Sequence, residues 1–275
     1  MPELPEVETV RRDLSRLYLG QTLQTLSVTG PRTVRRHAAE LLSAVEGRAL
    51  RRLGRRGKYL LFEWDDGQIL VVHLRMSGQL LARAAGAAGA AGAATVPHTH
   101  AVLGFGPAGE LHFVDPRTFG EFFLTTSDLP ELAHLGPDAL LATPAYLAQA
   151  LAGRRAPLKA LLVDQRVLAG IGSIYADEIC ATAGLRPFRP GGSLRRGQVA
   201  RLATTIVAVL EAAIVARGST LGDQQYRDVL GEVGHYQLEH RVYGRKGLPC
   251  PTCGAPVERV QLGAKSAYQC RKCQH

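Results

Sequence analysis

Residues 49–81 read ALRRLGRRGKYLLFEWDDGQILVVHLRMSGQLL, and their punctuation decides the fold of the first half of the chain. Short runs rich in Leu, Val, Phe and Tyr are broken by turn signals, of which Asp65-Asp66-Gly67 is the plainest, so the runs are strands. The same texture recurs in "TLQTLSVTG", "AVLGFG" and "ELHFVDPRTFGEFFL", with "PAGE" separating the last two. Strands joined this closely are antiparallel, and the pattern fits a β-sandwich or a barrel. Upstream, Val7, Val10, Leu14 and Leu17 recur at three- and four-residue spacing. With Pro5 in the first turn and Gly20 as the stop, they predict an amphipathic helix from Pro5 to about Tyr18. The stretch "RAAGAAGAAGAAT" at 83–95 is low in complexity and is read as a disordered surface loop without chemistry.

From about Leu129 the pattern turns helical, through "PAYLAQAL", "APLKALLVDQ", "SIYADEICATAG" and "RRGQVARLATTIVAVLEAAIVARG". A polar, Gly-rich stretch from Ser219 to Gly247 leads into a Cys-rich tail. The expected class is therefore α+β and multidomain. It comprises a β-rich part over 1–128, a helical part over 129–220, and a loop with a small terminal module over 221–275. A chain of 275 residues has room for two or three such domains, and 46% hydrophobic with 21% charged residues is a globular composition. No signal-peptide pattern precedes the first helix, and the apolar run "TTIVAVLEAAIVA" is read as too short and interrupted to span a bilayer. The expectation is a soluble, cytoplasmic protein with no membrane partner. The net charge of +9 favours a polyanionic partner, because each phosphate contact also releases counterions.

Four of five cysteines fall in the last 26 residues, as Cys250-x2-Cys253, 16 residues, and Cys270-x2-Cys273. Each pair presents two thiolates from one tight turn, and four complete a tetrahedral zinc shell. A closed four-cysteine site leaves no open coordination position, so one structural zinc is expected and a zinc-dependent hydrolase is disfavoured. Disulfides or redox-active thiols are the alternative, out of keeping with an intracellular protein. Cys180, within "ADEICATA", reads as a buried small hydrophobe. In "DQRVLAGIGSIYADEI", Gly170 and Gly172 lie between two helical segments. Ser173 is positioned to cap the second, whose free N–H groups suit a phosphate; the glycines alone favour an ordinary helix–turn–helix link, and the basic charge and the cysteine module shift the reading towards phosphate.

"PELPEVE" at the start, "GKYLLFE" around Lys58, "HLRMSG" at 73–78, "DPRTFG" at 115–120, "DQRVLAGIGSIYADE" and the four-cysteine tail occur in that order. Together they closely resemble the bacterial formamidopyrimidine-DNA glycosylases, which excise oxidised purines such as 8-oxoguanine. The resemblance implies an N-terminal β-sandwich with its leading helix, a helix-two-turns-helix DNA-binding domain and a zinc-finger β-hairpin, with DNA crossing between the two halves. It implies removal of Met1, after which the Pro2 amine attacks C1′ of the damaged nucleotide and leaves a Schiff-base link. A deprotonated secondary amine is a good nucleophile, and covalent catalysis divides one hard displacement into easier steps.

By the same resemblance Glu3 is the general acid/base. Glu6 is either its positioning neighbour or a residue that only favours the helix terminus electrostatically. Lys58 assists β-elimination. It reads as a solvated turn lysine when the resemblance is set aside. Met76 and Phe119 are wedges that fill the stack once a base is extruded, and Arg117 holds the orphaned cytosine. Taken singly, both wedges read as strand core. His73, His98, Arg154, Lys159 and Ser173 match family positions that contact DNA, chiefly its backbone. Two residues depart from the family, which often has asparagine at Ser173 and commonly arginine at Lys265, five residues before the third cysteine. Lysine keeps the charge of that phosphate contact, and of its part in δ-elimination, but lacks the bidentate fork.

The expected protein is thus a monomeric base-excision enzyme acting on double-stranded DNA with oxidised purines or abasic sites, associated with the bacterial nucleoid. It needs no redox or nucleotide cofactor and no added magnesium. The alternatives are an endonuclease VIII-like glycosylase for oxidised pyrimidines, disfavoured by "PELPEVE" and "DPRTFG", and a non-catalytic zinc-containing nucleic-acid-binding protein. The latter leaves Pro2, Glu3 and Lys58 unexplained.

Overall fold

The computed structural model describes residues 1–84, 96–222, 224–262 and 265–275, with the side chains of Leu262 and Lys265 left out. Residues 85–95 of the Ala/Gly stretch therefore lie outside it. The chain forms two compact units, residues 1–133 with 217–235, and residues 134–216 with 236–275. Residues 217–235, which the composition divides at 220/221, all belong to the first.

In the first unit, helix α1 (Leu4–Tyr18) begins one residue before the expected start. Val7, Val10, Leu14 and Tyr18 are its buried stripe. Leu19 leaves the helical conformation, and Gly20 turns the chain with φ +81°, a value that favours glycine. Two four-stranded antiparallel sheets follow, which resolves the choice between sandwich and barrel. One has the order β2 (Leu50–Arg56), β3 (Tyr59–Trp64), β4 (Ile69–His73), β8 (Glu121–Thr125). The other runs β1 (Thr25–Val28), β6 (Thr99–Gly104), β7 (Glu110–Val114), β5 (Gln79–Arg83). A single apolar core joins α1 to both, with Phe62, Leu70, Val72 and Phe122 from one sheet and Leu80, Leu103, Leu111 and Phe113 from the other.

The strand pairing also places two loops side by side. The link 74–78 takes the chain from β4 in the first sheet to β5 in the second, and the link 115–120 brings it back from β7 to β8. Because β4 pairs with β8 (His73 opposite Glu121) and β5 with β7 (Gln79 opposite Val114), both links leave the sandwich at the same end. They are "HLRMSG" and "DPRTFG".

The second unit contains α2 (Pro144–Leu151), α3 (Leu158–Val163), α4 (Ser173–Thr182), α5 (Arg196–Val215) and the hairpin β9 (Glu258–Leu262) and β10 (Lys265–Gln269). Helix α5 is longer than the apolar run suggests. Its 20 residues are enough, by length and composition alone, to cross a membrane. Half of that stretch is buried, against α2 and α4, as in the core helix of a globular unit. Two consecutive acids on α4 tie the C-terminal segment to the helices. Glu178 accepts the N–H groups of Arg241, Val242 and Tyr243 at 2.8, 3.0 and 2.8 Å. Asp177 accepts from Tyr268 N–H of β10 at 3.1 Å.

Candidate active site and metal centre

Pro2 and Glu3 lie at the head of α1 and are buried, Glu3 to 2% exposure, while Met1 is 46% exposed. Glu3 is the N-cap, paired with Glu6 in a capping box. The Glu6 carboxylate accepts Glu3 N–H at 2.8 Å and, through its other oxygen, Ser219 N–H at 2.7 Å. At 1% exposure, Glu6 is a strut between the terminus and residue 219, not a surface charge beside a helix end. The approach needs Gly218, where a Cβ would lie 2.7 Å from Glu6 Oε1 and φ is +80°. Segment 217–235 is fastened further along α1, where the Arg217 guanidinium bonds both Asp13 and Asp228.

Lys58 stands in the β2–β3 turn after Gly57 (φ +56°) and is buried, unlike a solvated turn lysine. A cluster with Glu8 and Arg55 buried at its centre supports that turn. Arg55 donates to Gly57 O at 2.9 Å and to Glu8 of α1 at 3.0 Å, and Arg11 and Arg12 bond the same carboxylate. Burial alone would raise the Glu8 carboxyl, but the three guanidinium groups hold it down to about 2. His73, on β4, is buried beside Tyr59. Its imidazole is driven well below its usual pKa, first by burial and then by the charges of Arg75, Lys58 and Arg36. Nδ1 accepts Arg75 N–H at 2.9 Å, so the neutral ring carries its proton on Nε2, where it can donate to an anion.

Met76 and Phe119 sit in the two sheet-crossing links and are 38% and 39% exposed, so neither is strand core. Arg117 is exposed beside them, its guanidinium 5.1 Å from the Phe119 ring centroid. His98 is exposed, with its carbonyl accepting Asp115 N–H at 2.9 Å. In the second unit Arg154 is exposed after α2. Ser173 is the first residue of α4 with Gly172 in the cap position, so its hydroxyl does not occupy the capping place expected of it. Lys159 departs further from expectation. Its side chain is 1% exposed, and Nζ lies 2.8 Å from Asp177 and 2.7 Å from Ser266 O. The ammonium is thus enclosed by a carboxylate and a strand carbonyl and is not presented to solvent. The side chain of Lys265 lies outside the described residues.

The Sγ atoms of Cys250, Cys253, Cys270 and Cys273 lie within 4.8 Å of one another, with 250–273 at 3.9 Å and 253–270 at 3.4 Å. A tetrahedron of zinc–sulfur bonds of about 2.3 Å sets sulfurs about 3.8 Å apart, so the four thiols fit one zinc ion.

Family models for the formamidopyrimidine-DNA glycosylase N-terminal domain, its H2TH domain and the zinc finger found in FPG and IleRS match residues 1–122, 135–225 and 247–275. The chain belongs to the formamidopyrimidine-DNA glycosylase family. Glycosylases of that name from Chloroflexus aggregans and Thermus thermophilus are each 43% identical to it, over all of this chain and 98% of their own. The crystal structure of the MutM (Fpg) protein from Thermus thermophilus matches with 41% identity and a TM-score of 0.86, covering 99% of this chain and 98% of that one. Lactococcus lactis Fpg in complex with abasic-site DNA matches with 31% identity and a TM-score of 0.89, covering 99% of both chains. The same bacterium's Fpg with Fapy-dG DNA gives 31% and 0.88, covering 99% of this chain and 100% of that one.

As a member of this glycosylase family, the chain carries one structural zinc in its C-terminal finger, held by the four clustered cysteines. Several residues that organise the site carry no chemistry of their own, and sequence reasoning passed over them. Ser77 and Asp115 lie inside quoted motifs but are neither nucleophiles nor wedges. Asp177 and Glu178 could have been suspected, because two acids inside the apolar helix "IYADEI" need buried partners.

Proposed function

We propose that the chain is a bifunctional DNA glycosylase and abasic-site lyase that removes oxidised purines, among them 8-oxoguanine and formamidopyrimidines, from duplex DNA. The observation that carries this reading is an amino terminus held in place instead of frayed: Pro2 and Glu3 are buried at the head of α1, and Glu6 fixes the Glu3 backbone. Once Met1 is removed, the Pro2 nitrogen attacks C1′ and the C1′–N9 bond breaks, its electron pair leaving with the base. Glu3 delivers a proton to the sugar ring oxygen as the ring opens, which yields the iminium. Loss of a C2′ proton then expels the 3′-phosphate, and a second elimination expels the 5′-phosphate. Lys58 assists the first elimination and Lys265 the second.

Met76 and Phe119 enter the stack left by the extruded nucleotide, and Arg117 bonds the orphaned cytosine. His73, as a neutral Nε2–H donor, and Arg154 hold phosphates, with Ser173 and His98 at the same backbone. Lys159 acts from inside the second unit by holding β10. The enzyme works in the bacterial cytoplasm on the nucleoid. The test is relative cleavage of duplexes carrying 8-oxoguanine opposite cytosine and thymine glycol opposite adenine. Preference for the purine is expected; a strong pyrimidine preference would move the chain to endonuclease VIII-like chemistry.

A further inference from the structure

We propose that Asp115 is a positioning residue that holds Met76, Arg117, Phe119 and His98 in their working arrangement before DNA arrives. The proposal rests on the reading of those four as DNA contacts.

Asp115 is fully buried where β7 ends, and its polar groups together fasten the link 74–78, its own link 115–120 and the backbone at His98. Oδ1 accepts the Ser77 hydroxyl at 2.5 Å, which ties in the link that bears Met76. Oδ1 also accepts Arg117 N–H at 3.2 Å, and Oδ2 accepts Gly120 N–H at 2.7 Å. Its own N–H donates to His98 O at 2.9 Å, and its carbonyl accepts Thr118 N–H at 3.1 Å and meets His100 Nε2 at 2.9 Å. From the solvent side, Arg35 Nη2 lies 3.0–3.3 Å from the carbonyls of Thr118, Phe119 and Gly120. The backbone polar groups of the "DPRTFG" link are thus held from below by a carboxylate and from above by a guanidinium.

Two further observations point the same way. The links share a floor, the Phe113 ring. A Cβ on Gly78 would lie 2.9 Å from that ring, and one on Gly120 would overlap it. The final glycine of each motif is therefore a condition for seating both loops on one aromatic side chain. In addition, three of the six non-glycine residues with positive φ among the described residues lie in these links or in the segment before β6 that Asp115 also bonds: Arg75 (54°), Thr118 (54°) and His98 (63°). Such conformations persist only where the surroundings over-determine them. Each lies within one residue of a proposed DNA contact or is one itself. Exposed wedges on a strained, pinned backbone reach the duplex without an ordering cost on binding.

The test compares Ser77→Ala and Asp115→Asn with Arg117→Ala as reference. The readouts are the excision ratio for 8-oxoguanine opposite cytosine over adenine, and borohydride trapping on a single-stranded abasic oligonucleotide, which has no opposite strand to hold. Loss of one such hydrogen bond should lower the ratio about fivefold in Ser77→Ala, and by more in Asp115→Asn. Single-strand trapping should stay within about twofold in both. If Arg117→Ala lowers the ratio and neither other variant does, the positioning role is refuted while the reading of Arg117 stands. If Arg117→Ala leaves the ratio unchanged, that reading fails and this proposal fails with it. Parallel loss of single-strand trapping and ratio would also overturn the proposal, since Asp115 would then only support the fold.

Discussion

Lys159 separates two accounts of the helical unit, and replacing it by methionine tests them. In the structure its ammonium lies against Asp177, which is 0% exposed, and against the Ser266 carbonyl of β10. Lys159→Met leaves a buried carboxylate whose remaining contact is Tyr268 N–H at 3.1 Å. Breaking a buried pair from one side costs about 3–5 kcal/mol, because the carboxyl left behind, which burial pushes up to about 7 even beside Lys159, must stay charged without water or take up a proton. At roughly 4 °C per kcal/mol, between the values for smaller and larger domains, the melting of the unit that contains the zinc hairpin should fall by on the order of 10–20 °C. Adding Asp177→Asn removes the stranded charge and should restore much of the loss. DNA affinity measured below the melting range, as a function of salt, is the deciding assay. A phosphate contact contributes about 0.9 to the slope of log K against log salt. The buried position predicts an unchanged slope for Lys159→Met. An unchanged melting temperature with a slope reduced by about 0.9 would refute the reasoning and return Lys159 to the DNA backbone.

Chelating the zinc should unfold the C-terminal hairpin and abolish duplex binding, because structural zinc contributes about 10–16 kcal/mol in small fingers; metal analysis with fluorescence anisotropy checks it, and intact binding after verified metal loss would contradict it. Glu8 titrates at about 2 in the fold against 4.5 when unperturbed, so its contribution is complete above pH 4.5 and is lost as the pH falls from there towards 2. Thermal melts of Glu8→Gln should accordingly show a flatter decline than the parent between about pH 5 and 3, and parallel curves would count against the cluster. Glu6→Ala strands the Glu3 and Ser219 N–H groups, each worth about 1–3 kcal/mol, and should slow Schiff-base trapping at least about tenfold with duplex affinity retained.

The parts of the molecule legible from the sequence are those whose causes are local. Helix α1 follows from apolar spacing, Pro5 and Gly20; the strands follow from β-rich runs between turn signals; the zinc site follows from cysteine spacing. What depends on pairing between distant residues was not legible. That "HLRMSG" and "DPRTFG" are neighbouring crossings at one end of a sandwich follows from β4–β8 and β5–β7 pairing across some 50 and 35 residues. Segment 217–235 reads as a polar connector, yet Arg217 and Ser219 bond acids of α1 more than 200 positions away. Read singly, Lys58 passes for a solvated turn lysine and Lys159 for part of a solvated helix start, yet both are buried. A charged residue between buried neighbours is buried only if a partner exists, and Asp177 supplies one for Lys159 from a different helix. Ser173 shows the smaller error of a cap placed one residue late.

The central claim is that the amino terminus is the nucleophile. Borohydride trapping on a duplex with 8-oxoguanine opposite cytosine, followed by mass mapping of the attached residue, tests it directly. The account predicts a covalent adduct on Pro2 with Met1 absent. An adduct on a lysine such as Lys58, or none on this duplex and on an abasic one with Met1 removed and DNA bound, would contradict it.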